Sequence, residues 1–140
     1  MYRYTAQRRL EQPPEQVIGY LADPARQVDW VHGCRDCRWS TEGGVRAGAV
    51  AEQTMSFLGR TQVSAMTVTD YEPARRIAFS KQEPFPIRFG FEAEPDGTGT
   101  LLSYPVEMEP RAFMRLAISL VGRRTNHGDL DRIVAGLAQG

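Results

Sequence analysis

The 140-residue sequence lacks several features that mark common functional classes. It has two cysteines, two histidines and a single lysine, Lys81, and its 17 basic residues balance its 17 acidic ones. A balanced charge gives no electrostatic basis for binding nucleic acid. No run approaches the roughly 20 apolar residues of a membrane-spanning helix, and the polar N-terminus lacks the apolar segment of an export signal. We therefore expect a cytoplasmic protein with no nucleic-acid partner and no membrane span.

The sequence also lacks the short motifs of nucleophilic, phosphate-binding and metal-dependent catalysis. The two cysteines, Cys34 and Cys37, have a C-x-x-C spacing, with His32 close by. In an extended strand, side chains three apart point to opposite faces, and their separation of about 10 Å exceeds the reach of a disulfide. Only His32 and His127 could complete a zinc site. We expect neither a metal nor a cofactor, with Cys37 as a core residue and Cys34 incidental.

What is present predicts an α+β fold in one domain spanning residues 1–140. A strand over 3–10 precedes a helical segment that Pro24 divides into two short helices. Alternating and β-branched residues between turn signals then predict strands over 35–42, 49–57, 61–71, 76–82, 86–94 and 99–109. A long helix over 111–138 follows, and it needs a large apolar surface such as one face of the sheet.

Helical and strand periodicities indicate which residues face each other. Along the last strand Tyr104 shares a face with its apolar neighbours Leu102 and Val106. The final helix carries an apolar stripe, and Arg123 and His127 fall within it. These two polar residues either line a cavity or lie where the helix extends beyond the sheet, and the periodicity leaves both alternatives open. The members of the stripe are Leu116, Leu120, Leu130, Val134 and Leu137.

The order of these segments resembles the START-like superfamily, in its polyketide cyclase/dehydrase and lipid-transport branch. The residues that carry the resemblance are PPEQVIGYLADPARQVDW (13–30), VRAGAV, LGR, VTDYEPARRIAFS, DGTGTLLSY and a long helix opening after Pro110. The resemblance implies a helix-grip fold, in which a curved seven-stranded antiparallel sheet surrounds the long C-terminal helix, with two short helices after the first strand. It also implies an elongated cavity between sheet and helix.

Within that fold, the resemblance implies binding or carriage of a small hydrophobic or amphipathic molecule in the cavity. An aromatase/cyclase or dehydratase acting on a polyketide-like substrate is the alternative. A third hypothesis is an interaction role, in which the pocket is vestigial and a surface recruits a partner. Whether the chain forms a homodimer is left open. His127, Tyr104 and Arg123 are the catalytic candidates. The ligand-binding candidates are Trp30, His32, Trp39, Phe89, Phe91, Leu102, Tyr104, Leu116, Leu120, Arg123 and His127.

Overall fold

The computed structural model describes residues 2–57, 59–83, 85–109 and 115–139, apart from the side chains of 57 and 115–126. Its elements follow the predicted order. The helical ones are α1 (Pro14–Ala22), a 3-10 turn (Pro24–Arg26), α2 (Gln27–Trp30) and α3 (Arg115–Gln139). The strands are β1 (Tyr2–Leu10), β2 (Cys34–Trp39), β3 (Val50–Phe57), β4 (Arg60–Glu72), β5 (Arg76–Lys81), β6 (Ile87–Asp96) and β7 (Gly99–Met108).

The seven strands form one antiparallel sheet in the order β1-β7-β6-β5-β4-β3-β2. Strands β2 to β6 are each paired with the next strand along the chain, and β1 lies at the edge of the sheet, paired with β7. The helix-grip architecture predicted from the sequence is confirmed. Within the described ranges, no helix is long and apolar enough to cross a membrane.

One face of the sheet is buried, and the register shows how its side chains align. Strand pairing places Met108, Ile87, Lys81, Met66 and Ala51 in one row across β7, β6, β5, β4 and β3. Side chains in such a row touch their lateral neighbours. Lys81 is the charged member of an otherwise apolar row, and burying its charge there is costly unless the ammonium is paired and hydrogen-bonded.

The two short helices form where the sequence predicts them. Pro14 occupies the first turn of α1, where its missing N–H removes no hydrogen bond. Asp23 then ends the helix, and its carboxylate accepts a hydrogen bond from the Ala25 backbone N–H at 3.0 Å. Pro24 cannot continue α1, so the chain turns and α2 carries Gln27 and Trp30 into the core.

The prediction that Cys34 and Cys37 face opposite sides of the sheet is wrong. Both side chains are buried, at 7% and 3% exposure, and both belong to the core. The pairing of β2 with β3 shifts register between Cys34 and Asp36, which marks a β-bulge. An extra residue in a strand reverses the alternation beyond it, so side chains three apart reach the same face.

Helix α3 approaches α1 closely at a glycine. A Cβ atom on Gly136 would lie 2.0 Å from the hydroxyl oxygen of Tyr20, so any larger residue there would displace the Tyr20 ring. The Tyr20 hydroxyl is buried and has no hydrogen-bond partner among the described residues. Burial also raises the pKa of this hydroxyl, with the nearby Asp29 charge adding to the effect.

Replacing Tyr20 by phenylalanine is therefore expected to raise the free energy of unfolding by about 1 kcal/mol, because an unsatisfied buried hydroxyl is removed. Urea denaturation would measure the change. The comparison variant is Tyr104→Phe, which removes a hydroxyl that does donate a hydrogen bond and should lower stability. A loss of stability in both variants would show that the Tyr20 hydroxyl is satisfied in solution.

Candidate functional site

A cavity of about 180 Å3 lies on the buried face of the sheet. Its described walls come from strands β3, β5, β6 and β7, from the segment after α2 and from Asp129 of α3. Its described apolar lining is Val31, Met55, Ile87, Phe89, Val106 and Met108. Its described polar lining is His32, Gln53, Lys81, Tyr104 and Asp129. The site is thus an apolar chamber with a few polar groups, as is typical of small-molecule sites.

The first polar group is centred on Asp129 of α3, which is 5% exposed. The Tyr104 hydroxyl donates to Asp129 Oδ2 at 2.9 Å, and Arg132 Nη2 donates to Oδ1. The His32 backbone N–H also points to Oδ1, at 3.4 Å. Arg132 in addition donates from Nε to the Trp30 carbonyl oxygen at 3.0 Å. These contacts tie α3 to β7 and to the end of α2.

Burial raises the pKa values of the two ionisable side chains Asp129 and Tyr104. Desolvation raises the pKa of Asp129, although hydrogen bonds from Tyr104 and Arg132 act in the opposite direction. Burial and the neighbouring carboxylate also raise the pKa of Tyr104, which keeps the phenol a hydrogen-bond donor. The carboxyl group therefore holds its proton to a higher pH than an exposed aspartate does.

The second polar group is centred on Lys81 at the end of β5, which is 6% exposed. Its Nζ donates to Gln53 Oε1 at 2.6 Å, and Gln53 Nε2 donates to Gln27 Oε1 at 2.7 Å. Gln27 Nε2 lies 3.6 Å from the sulfur of Met66. The chain of amides fixes the Gln53 oxygen toward the ammonium. Desolvation lowers the pKa of Lys81, as expected for a buried amine.

The two thiols are close enough to Lys81 to interact with it electrostatically. Burial raises the pKa of Cys34, and it raises the pKa of Cys37 to about 12. Both are free thiols and stay protonated at neutral pH, so they are weak nucleophiles and poor metal ligands. In the part of the chain that the structure describes, no three metal-ligating side chains come together.

The residues predicted from the sequence separate into distinct environments. Three of them, His32, Phe89 and Tyr104, line the cavity. Three others, Trp30, Phe91 and Leu102, are buried in the core but are not among the described lining residues. Trp39 is half-buried against the core, and His127 is exposed. The side chains of Leu116, Leu120 and Arg123 lie outside the described residues.

The exposure of His127 follows from the rotation of α3. Beyond it, the buried residues are Asp129, Leu130, Ile133 and Leu137, whereas Val134 of the predicted stripe is only partly buried. This face shares Leu130 and Leu137 with the predicted stripe but is rotated from it towards Asp129 and Ile133, because this part of α3 packs against β1 and α2. Asp129 therefore points inward, and the structure does not bring His127 to the cavity.

Sequence reasoning missed Lys81, Gln53 and Asp129. For Lys81 a signal exists, since it is in phase with the buried Ile77 and Phe79 along β5. A lysine at a core position of a strand, and the only lysine in the chain, is unusual enough to be noticed. For Asp129 the pattern gives no such signal, because the buried face of α3 becomes clear only from its packing partners.

Comparisons with known proteins identify the family of the chain. The family model described as polyketide cyclase / dehydrase and lipid transport matches residues 1–139. A search of curated proteins gave no significant match.

Several solved structures share the fold. The Zhui aromatase/cyclase from Streptomyces sp. R1128 is 18% identical with a TM-score of 0.82, over 99% of this chain and 94% of that one. A protein from Thermus thermophilus is 14% identical with a TM-score of 0.79, over 99% and 98% of the two chains. Ara h 8.0201 is 11% identical with a TM-score of 0.75, over 99% of each chain. Similarities at this level of identity show a common fold.

Proposed function

Because the chain belongs to the polyketide cyclase/dehydrase and lipid transport family, we propose that it binds a small hydrophobic or amphipathic molecule in the cavity between the sheet and α3. The observation that carries the proposal is the cavity itself. A concave, largely apolar site with a few polar groups is the usual form of a small-molecule site. A chamber of about 180 Å3 with mostly apolar walls supports binding rather than simple packing.

The size and lining of the cavity constrain the ligand. An engineered apolar cavity of about 150 Å3 in another protein holds one benzene molecule. A chamber of about 180 Å3 therefore suits a molecule of roughly one ring with a short substituent. The thioether side chains of Met55 and Met108 are flexible, so they can adapt to ligands of different outline.

A second candidate function is enzymatic, in the manner of an aromatase/cyclase or dehydratase. The observation that favours it is the hydrogen-bonded pair of Tyr104 and Asp129 on the cavity wall. A carboxyl group with a raised pKa can donate a proton nearer neutral pH, and a phenol beside it can stabilise a developing oxyanion. Ring closure of a poly-ketone needs such acid and base groups around one reacting centre. Turnover of a poly-ketone thioester would distinguish this function from carriage.

The experiment that tests binding is native mass spectrometry of freshly purified protein. We expect a non-covalent adduct of one small molecule that is released on collisional activation. The variant Val106→Phe places a phenyl ring in the cavity, and steric overlap should lower the bound fraction about tenfold. The matched control is Val63→Phe, since Val63 is 55% exposed on β4.

The proposal fails if the wild-type protein carries no adduct and also binds no small aromatic probe added to it. It also fails if Val106→Phe and Val63→Phe retain the same bound fraction, because the ligand would then lie elsewhere. Circular dichroism of both variants shows whether a loss of binding reflects a loss of fold.

A further inference from the structure

Lys81 is a buried cation whose neighbours in the sheet carry no compensating charge. Its lateral neighbours in the sheet are Met66 and Ile87, both apolar, and its side chain is almost fully buried. Within the described ranges its ammonium has one hydrogen-bond partner, the neutral amide oxygen of Gln53, and takes part in no ion pair. An ammonium has three donors, so this environment satisfies it incompletely.

None of the described side chains around Lys81 supplies an anion to pair with its ammonium. Cys34 and Cys37 on β2 stay protonated at neutral pH, because burial raises the pKa of both thiols. Asp129 lines the same cavity, but its carboxylate already has Arg132 as an ion-pair partner. Removing an ammonium from water without a counter-ion costs several kcal/mol, so an anion bound beside Lys81 would stabilise its charged form.

Hydrogen bonds through Gln53 and Gln27 hold the Lys81 ammonium in place on the wall of the cavity. Gln53 uses its Nε2 on Gln27, which leaves its oxygen for Lys81. Both glutamines are fully buried, at 1% or less exposure, and are fixed by packing against Met66 and β4. A preorganised donor on the wall of an apolar chamber is the arrangement that recognises one polar atom of a ligand.

We propose that Lys81 binds a carboxylate of the ligand, so that the cavity selects small amphipathic organic acids over neutral molecules of the same shape. The inference rests on the proposed binding function and names the ligand class. The apolar part of the acid would contact Ile87, Phe89 and Met108 beside the lysine. The carboxylate would take the two remaining donors of Nζ and supply the missing counter-ion.

If Lys81 binds a carboxylate, the affinity for the acid should depend on pH. Burial lowers the pKa of Lys81, and a bound carboxylate would raise it again. The affinity for an acid should therefore fall as the pH rises through the pKa of Lys81 in the free protein. The other described titratable groups of this region are Cys34, Cys37, His32, Tyr104 and Asp129, so the pH profile has to be compared with that of a variant without Lys81.

The test uses isothermal titration calorimetry with two probes of equal outline, 4-ethylbenzoate and 4-ethylbenzyl alcohol. We expect wild-type protein to bind the acid about tenfold more tightly, since a hydrogen bond to a charged group is worth more than a neutral one. Lys81→Met should abolish that preference and leave the affinity for the alcohol within about threefold. The matched control Arg88→Met removes a cation from the exposed face of β6 and should retain the preference.

The outcomes separate this inference from the binding function. If both probes bind the wild-type protein equally well, or if Lys81→Met keeps the preference, the inference is wrong while cavity binding stands. If neither probe binds and native mass spectrometry shows no adduct, both fail. Should Lys81→Met not fold, the wild-type pH profile decides: the affinity for the acid must fall at alkaline pH while that for the alcohol stays constant.

Discussion

Replacing Trp30 by alanine is expected to lower the free energy of unfolding by about 3–5 kcal/mol, the range for truncating a large buried aromatic side chain. Trp30 is fully buried at the end of α2. Its ring packs edge-on against Phe91 at 5.3 Å and against Tyr104 at 6.4 Å between centroids. Those two rings are themselves stacked at 4.4 Å, so alanine would leave a cavity beside both of them. Urea denaturation followed by circular dichroism would measure the loss.

Two further variants show where the effect comes from. Val28→Ala removes a side chain that is 43% exposed on the same short helix and should change stability by less than about 0.5 kcal/mol. Trp30→Phe keeps an aromatic ring and removes an indole N–H that has no partner among the described residues, so it should cost much less than alanine. A loss below about 1 kcal/mol for Trp30→Ala would mean that α2 does not pack on the sheet in solution.

The Trp30 variants also distinguish two roles that this side chain could have. Its position after the second short helix is compatible with a lid over the ligand or with a hydrophobic plug. The structure places it in the core behind Tyr104, whereas Val31 and His32 reach the cavity. If Trp30 is a plug, its loss should lower stability first and ligand affinity only through displacement of Tyr104.

The fold was largely predictable because its signals are local. Turn residues and period-2 alternation mark each strand, and the observed bounds lie within a few residues of the predicted ones. Pro24 marks the break between α1 and α2 in the same direct way. The predicted membership of the START-like superfamily is confirmed by the family match over residues 1–139 and by the shared fold.

The site was less predictable because it depends on contacts between distant segments. Lys81 on β5 and Gln53 on β3 come from strands with only β4 between them in the sheet, so their side chains reach each other across its buried face. Gln27 joins them from α2. The bulge at the start of β2 brings Cys34 to the inner face, and alternation alone cannot place a bulge. Likewise, the choice between His127 and Asp129 depends on how α3 rotates against β1 and α2.

Asp129→Ala is expected to lower the free energy of unfolding by about 2–3 kcal/mol. The variant removes the acceptor of the Tyr104 hydroxyl and of the Arg132 guanidinium. Breaking a fully buried ion pair typically costs about 3–5 kcal/mol. A smaller loss is expected here because the Arg132 side chain is 38% exposed and can be hydrated. Urea denaturation at neutral pH measures it.

Asp129→Asn is the matched control, because it retains an oxygen acceptor at nearly the same position but carries no charge. Desolvation raises the pKa of Asp129, which means that the folded protein favours the neutral carboxyl group. The asparagine variant should therefore be much closer to the wild type in stability than the alanine variant. Equal losses in both variants would show that the charge itself, and not the hydrogen bonding, stabilises the fold.

The raised pKa of Asp129 also determines whether the stability of the protein rises or falls with pH. Between the unfolded pKa of 3.8 and the higher folded pKa, the native state binds more protons than the unfolded state. The contribution of Asp129 to stability is thus fully present below pH 3.8 and is lost as the pH rises through the folded pKa. Relative to Asp129→Asn, which does not titrate, wild-type protein should gain stability as the pH is lowered from 7 towards 4. A difference between the two proteins that stays constant over this range would contradict the raised pKa, and with it the proposed role of Asp129 as a proton donor in the cavity.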